Sequence, residues 1–199
     1  MAVEAGLRER SKARRRAAII RTAFELFAER GYDATTVADI AAAAEVAPRT
    51  VAMYFRSKQD IALSRFSESA DRLTDALRHR RVGETALEVL GRWLRAEDAR
   101  CSDSADTDEL ERRMFDANPS LGALRTARMT TAIHEATKAV AEDLGAQPDD
   151  FGPRITAAAA AAVLIELATG PQNFDQEQAI VTALGFIRAG LTTLCPTTP

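Results

Sequence analysis

The chain is poor in the residues from which catalytic and metal centres are usually built. Of 199 residues only 2 are cysteine and 2 histidine. Cys101 and Cys195 stand far apart and outside any paired metal-ligand spacing. That argues against a zinc site of ordinary pattern and against a disulfide framework, and reads as reduced cytosolic thiols. With no nucleophile elbow, no phosphate-cradling glycine loop and no metal cluster, nothing assembles into a catalytic site; neither enzyme, cofactor nor metal is expected. No run of about 18 apolar residues is found, and the longest candidate, Ile155 to Ala168, reads as too short to span a bilayer. The basic start lacks an apolar stretch behind it, so no signal peptide and a cytoplasmic location are expected.

What the chain has is helical periodicity. Hydrophobic residues make up 46% of it, enough for a substantial core, while strand alternation and internal repeats are missing. The class is all-α, with about nine helices: a small N-terminal module over residues 1–56 and a larger helical domain over 57–199. The first helix reads from about Ser11 to Arg30, with Gly31 as its stop, and the fourth from Ser57 to about Arg80. A long seventh helix starts at Asn118-Pro119 and runs to Leu144; an alanine-rich eighth starts near Pro153, and a ninth runs from Asp175 to about Leu194.

The net charge of −3 hides an uneven distribution. Residues 1–60 hold 11 Lys/Arg against 8 Asp/Glu, while residues 61–199 hold 15 against 21. Six of the basic residues lie between Arg8 and Arg16, among them Arg14 and Arg15. A basic arm leading into a small helical module is an arrangement that neutralises phosphates, although a solvated tail has the same composition.

The most informative stretch follows that arm. Thr36 with Asp39 is a capping-box variant opening a short helix with Val37, Ile40 and Ala41 on its apolar face. A turn at Glu45-Val46-Ala47 leads to Pro48, suited to the first position of a helix that ends near Tyr54, and Ser57 with Asp60 opens the next. The result is a helix, a short turn and a second helix, the spacing of a DNA-reading helix-turn-helix that also occurs in proteins that never touch DNA.

The pattern Thr50, Val51, Tyr54, Phe55, Ser57, Lys58, preceded by Ala23, Phe24, Leu26, Phe27, Gly31, Tyr32, Thr35 and Thr36, resembles the TetR family of bacterial one-component regulators. The resemblance covers about residues 12 to 62. Three positions depart from it. Glu45 stands where the turn often has glycine, Ala47 replaces the common Ser or Thr cap, and Ala52 replaces a tyrosine that many members direct to a phosphate. These departures are the only support for the alternative, a helical interaction protein that keeps the fold without binding DNA.

The resemblance implies a homodimer on double-stranded operator DNA, acting as a repressor released by a small molecule. Arg49 is the best reader of guanine, Met53 faces a thymine methyl, and Tyr54 either packs or reaches a phosphate. Thr36, Thr50 and Lys58 offer donors to the backbone, with Pro48 and the arm residues Arg14 and Arg15 beside them. Trp93, Met114, Phe115, Met129 and His134 are expected to line a pocket for an apolar or amphipathic effector. Arg112, Arg113, Arg125 and Arg128 could meet an acidic ligand, though solvated faces are the default for such charges. A four-helix seam from the last two helices would use Ala161, Leu164, Ile165, Leu184, Ile187 and Leu191.

Overall fold

A computed structural model describes residues 2–102, 105–169 and 175–194. Cys195 and the Gly170-Pro171 break lie outside them. The described residues form eleven helices and no strand: α1 (Ala2–Arg30), α2 (Val37–Ala43), α3 (Pro48–Tyr54), α4 (Lys58–Ala62), α5 (Ser64–Arg78), α6 (Ala86–Ser102), α7 (Ala105–Ala117), α8 (Ser120–Arg128), α9 (Thr130–Leu144), α10 (Phe151–Thr169) and α11 (Gln176–Thr192). The chain divides into two compact units, Met1–Phe66 with Ser104–Arg125, and Ser67–Asp103 with Thr126–Pro199. The first unit therefore recruits α7 and most of α8, which a division after residue 56 leaves with the rest of the chain.

The expected nine helices become eleven because two long ones break. The fourth breaks at Leu63, whose backbone (φ −102, ψ 8) leaves the helical region. The stretch Ile61, Ala62, Leu63 and Ser64 is wholly buried. Four successive side chains cannot share one face of a straight helix, so a turn brings all of them inward. The seventh breaks at Met129, which is buried while Arg128 and Thr130 are exposed. Each break is followed by a hydroxyl turned back on the helix: Ser64 Oγ donates to the Ile61 carbonyl (2.9 Å), and Thr130 Oγ1 to the Ala127 carbonyl (2.9 Å). Such back-bonding competes with the regular backbone pattern.

The first helix also starts earlier than Ser11, at Ala2, because nothing in the Ala-, Arg- and Glu-rich arm stops a helix. In the first unit, Ile19, Ile20, Ala23, Phe24, Leu26 and Phe27 of α1 form a core with Ile40, Val51, Phe55 and Ile61. Gly31, at φ 89, ends α1 in a conformation that an L side chain adopts only under strain. Asn118, at the end of α7, is buried and closes this corner. Its Nδ2 donates to the Phe27 and Met114 carbonyls (2.9 and 2.7 Å), and its Oδ1 accepts the Tyr32 N–H (2.6 Å).

In the second unit α10 packs on α9 and α11, and α11 also packs on α6. Gly145 (φ 62) ends α9 with its N–H to Glu142 and that of Ala146 to Ala141. The Asp143 carboxylate caps α6 at the Ala86 N–H (2.6 Å) and pairs with Arg80 (2.5 Å). The helix α10 is longer than the stretch read from sequence, and by length and composition it is apolar enough to cross a membrane. Its Ala157, Ala161 and Leu164 are buried in the second unit.

Candidate nucleic-acid interface

The helix-turn-helix is fixed by its own caps. Thr36 Oγ1 accepts the Asp39 N–H (3.1 Å) while the Asp39 carboxylate accepts the Thr36 N–H (2.8 Å). The Thr36 hydroxyl and backbone hydrogen bonds hold the Asp39 carboxyl below its usual range. Because the folded value is the depressed one, the box holds at neutral pH and loosens only as acid protonates Asp39. Thr36 also gives its hydroxyl proton to Asp39 (2.6 Å), so its donor is committed inside the module.

The turn keeps its shape with a residue ill suited to it. Glu45 is the single non-glycine at positive φ (52) among the described residues. Its N–H bonds the Ala42 carbonyl, and the Val46 N–H bonds that of Ala41 (2.9 Å). A left-handed backbone costs a side-chain-bearing residue roughly 1–2 kcal/mol. Glu45→Gly is therefore expected to stabilise the protein by about 0.5–1 kcal/mol once glycine's greater unfolded-state entropy is set against it. Thermal unfolding should move up by a few degrees; an unchanged or lower midpoint contradicts strain at Glu45.

The second helix, α3, seals one face and opens the other. Val51 is 1% exposed, and Phe55 beyond its end is also buried, while Met53 is 82% exposed. Pro48, Arg49 and Ala52 are exposed as well, so Arg49, Ala52 and Met53 share an outward face. Ala47 gives no side-chain cap, and no acidic residue stands in the first turn. Arg49 thus places a cation at the positive end of a helix dipole, an arrangement that an anionic partner relieves. Thr50 and Tyr54 are half-buried, and Tyr54 packs against the core cluster. Lys58 turns inward: its Nζ donates to the Tyr32 carbonyl (2.6 Å) and lies 4.2 Å from the Tyr32 ring centroid. Arg14 and Arg15 are exposed on α1, and the Arg16 guanidinium stacks on Phe55 at 5.1 Å. Sequence reasoning missed that stacking and the Asn118 corner. An asparagine before proline reads as a helix start, and nothing local marks it as a tie to α1.

The five residues expected to line one pocket divide between the two units. Met114 is fully buried in the core of the first unit, because α7 packs on α1, and Phe115 packs against that same core. In the second unit, His134 is exposed and Trp93 donates its indole N–H to the Ser69 carbonyl (3.2 Å). Of the five, only Met129 lines an apolar slot of ≈ 40 Å³ there, with Leu77, Leu90, Ala157 and Leu164 among its walls, and none lines the larger, more open hollow of ≈ 390 Å³ between α10 and α11. The one polar residue lining the slot, Thr156, donates its hydroxyl to the Gly152 carbonyl (2.8 Å).

The residues expected at a dimer seam also face inward. Ala161, Leu164, Ile187 and Leu191 line that same slot, and Leu184 lies against Gly91 of α6. Ile165 is half-buried. Both faces of α10 and α11 are apolar, so periodicity could not separate the protomer's own core from a free surface. The exposed large apolar residues of these helices are Phe151, Ile155, Val181 and Phe186.

Comparison with known proteins agrees with this geometry. The family described as bacterial regulatory proteins, tetR family, matches residues 19–64. The HTH-type transcriptional regulator TcmR of Streptomyces glaucescens is 35% identical over 169 residues, 79% of this chain and 73% of that protein. The fold is similar to that of FadR from Bacillus subtilis in complex with stearoyl-CoA, with TM-score 0.54 and 19% identity over 92% of this chain and 99% of the other. It is also similar to that of FadR from Thermus thermophilus, a TetR-family repressor in complex with lauroyl-CoA, with TM-score 0.51 and 22% identity over 88% and 94%. Capped helix-turn-helix, outward α3 face and relatives together establish that the chain belongs to the TetR family of DNA-binding bacterial transcriptional regulators.

Proposed function

We propose that the protein is a homodimeric repressor whose hold on a palindromic operator is released by an apolar or amphipathic small molecule. The observation that carries the DNA reading is the outward face of α3, where Arg49 and exposed Met53 stand over a sealed core. Arg49 takes the guanine edge, Met53 the thymine methyl, and exposed Arg14, Arg15 and Arg56 neutralise phosphates.

The dimer is held by the free faces of α10 and α11. Phe151 and Ile155 lie one turn apart on α10, and Val181 and Phe186 stand on α11 beside Gly185, which permits close approach of a partner helix. Phe186→Glu is expected to weaken dimerisation by about 2 kcal/mol or more without unfolding the protomer, because Phe186 is 65% exposed there. Leu184→Glu should instead destabilise the protomer. Sedimentation at micromolar concentration separates the two, and a Phe186→Glu dimer as tight as wild type contradicts this seam.

The effector site is the apolar slot around Met129 rather than the more open hollow between α10 and α11. At ≈ 40 Å³ it is far below the roughly 300–1,000 Å³ of a filled ligand pocket, so a ligand must part the helices around it. That separation is what couples occupancy to DNA affinity, since α5 and α8 each continue from one unit into the other. The acyl-CoA ligands of the two FadR proteins supply the first probes. Ala160→Val, at the cavity wall, adds only two methyl groups and should leave operator affinity nearly unchanged while raising about tenfold the stearoyl-CoA or lauroyl-CoA concentration needed for release. A gel-shift titration reads both quantities. Equal release of wild type and variant places the effector elsewhere, and no release by either probe excludes long-chain acyl-CoA.

A further inference from the structure

The arginines of α7 and α8 divide sharply. Arg112 is exposed and pairs with Glu109 and Asp116. Arg125 is 6% exposed and its Nε has no hydrogen-bond partner. No carboxylate among the described residues lies within ion-pairing distance of it. The acids nearest in kind are committed to another cation: Arg65 pairs with Asp108 and, at 3.4 Å, with Glu111. Arg125 has phenyl rings instead, its Cζ standing 4.5 Å from the Phe115 centroid and 5.0 Å from that of Phe66. The rings favour a cation, yet they accept no in-plane hydrogen bond. Burial correspondingly pushes the guanidinium below the ordinary arginine range, against the opposing pull of Glu111.

A buried cation with an unmet donor is costly, and an anion at that donor relieves it. The orphaned Nε belongs to the edge of the guanidinium that grips a carboxylate through two parallel hydrogen bonds. We propose that Arg125 is the recognition residue of a binding site for a small monocarboxylate, its two oxygens on the Nε edge and its apolar body against Phe66 and Phe115. Glu111 and Asp108 set the charge limit. They tolerate one added negative charge beside Arg65 and Arg125 and disfavour the two of a phosphate monoester. None of these residues lines the apolar slot of the second unit, so the proposal stands apart from the effector reading.

The test uses the full-length protein without DNA, labelled at arginine, with octanoate, octanol and octyl phosphate as probes. The Arg125 Nε–Hε resonance is assigned by its loss in Arg125→Gln. Octanoate should shift it saturably, octanol should not, and octyl phosphate should bind about tenfold more weakly. Arg125→Gln should weaken octanoate binding at least about tenfold by calorimetry. Phe115→Leu, which keeps the guanidinium and a hydrophobic neighbour, should weaken it less while leaving the preference for octanoate over octanol intact. If Arg125→Gln does not fold, Arg125→Lys supplies the assignment, and the wild-type shifts with Phe115→Leu decide the matter. No saturable shift with octanoate, an equal response to octanol, or tighter binding of octyl phosphate overturns the proposal, and each leaves the operator reading untouched.

Discussion

Arg49→Ala is expected to abolish discrimination at one base pair in each half-site while leaving weak binding to random duplex nearly intact. Arg49 is exposed on the outward face of α3, one position after Pro48, in a first turn without an acidic partner. Its fork is therefore free to meet the proposed base edge without breaking any bond within the fold. A bidentate arginine–guanine contact carries roughly 1–3 kcal/mol of discrimination, and two half-sites double it, for an operator affinity lowered by about 30-fold to about 25,000-fold. Competition with unrelated duplex at fixed salt reads this directly. Equal weakening on operator and random DNA would make Arg49 a phosphate contact. Lys58→Ala is the informative control, because the ammonium holds the Tyr32 carbonyl and ring. It should lower stability of the first unit as well as DNA affinity.

The second large effect is on stability. Asn118→Leu keeps the volume of the side chain and removes three hydrogen bonds, leaving the Tyr32 N–H and the Phe27 and Met114 carbonyls without that partner. Asn118 is 8% exposed, so water does not replace it readily. The Phe27 carbonyl keeps the Gly31 N–H (3.2 Å), so the cost falls on the other two groups at about 1–3 kcal/mol each, and partial relaxation makes the sum smaller than the parts. A loss of about 3–4 kcal/mol is expected, a large fraction of the roughly 5–15 kcal/mol of a typical domain. Urea unfolding should show a lower midpoint with an unchanged slope. A loss below about 1 kcal/mol would mean that the Asn118 corner is not what ties α7 to α1.

The legible part of the fold is the part governed by local chemistry. Thr36 with Asp39, Pro48, Ser57 with Asp60, and Gly31 each mark a helix end through a backbone group that must be satisfied within three or four residues. The helix-turn-helix could be read from them, as could the outward placement of Arg49 and Met53. What could not be read depends on partners distant in sequence. Periodicity says that Met114 is buried; only the packing of α7 on α1 says that it lies in the core of the first unit. The same limit hid the inward turn of Ala161, Leu164 and Ile187, since an apolar helix surrounded by apolar helices carries no mark of which face belongs to which neighbour. Lys58 shows a related limit. A lysine after a recognition helix suits a phosphate, and the nearby carbonyl of Tyr32 became visible only in three dimensions.

Selection from a pool of random duplexes by the purified full-length protein, followed by a salt titration on the winning sequence, tests the central claim most directly. The account predicts an inverted repeat whose half-sites are read in the major groove, with centres about one helical turn or a multiple of it apart, roughly 34 Å per turn. It also predicts steep loss of affinity with salt as Arg14, Arg15 and their neighbours release counterions. Failure to enrich any inverted repeat, with binding to all duplexes equally weak, would contradict the assignment of α3 as a sequence-reading helix.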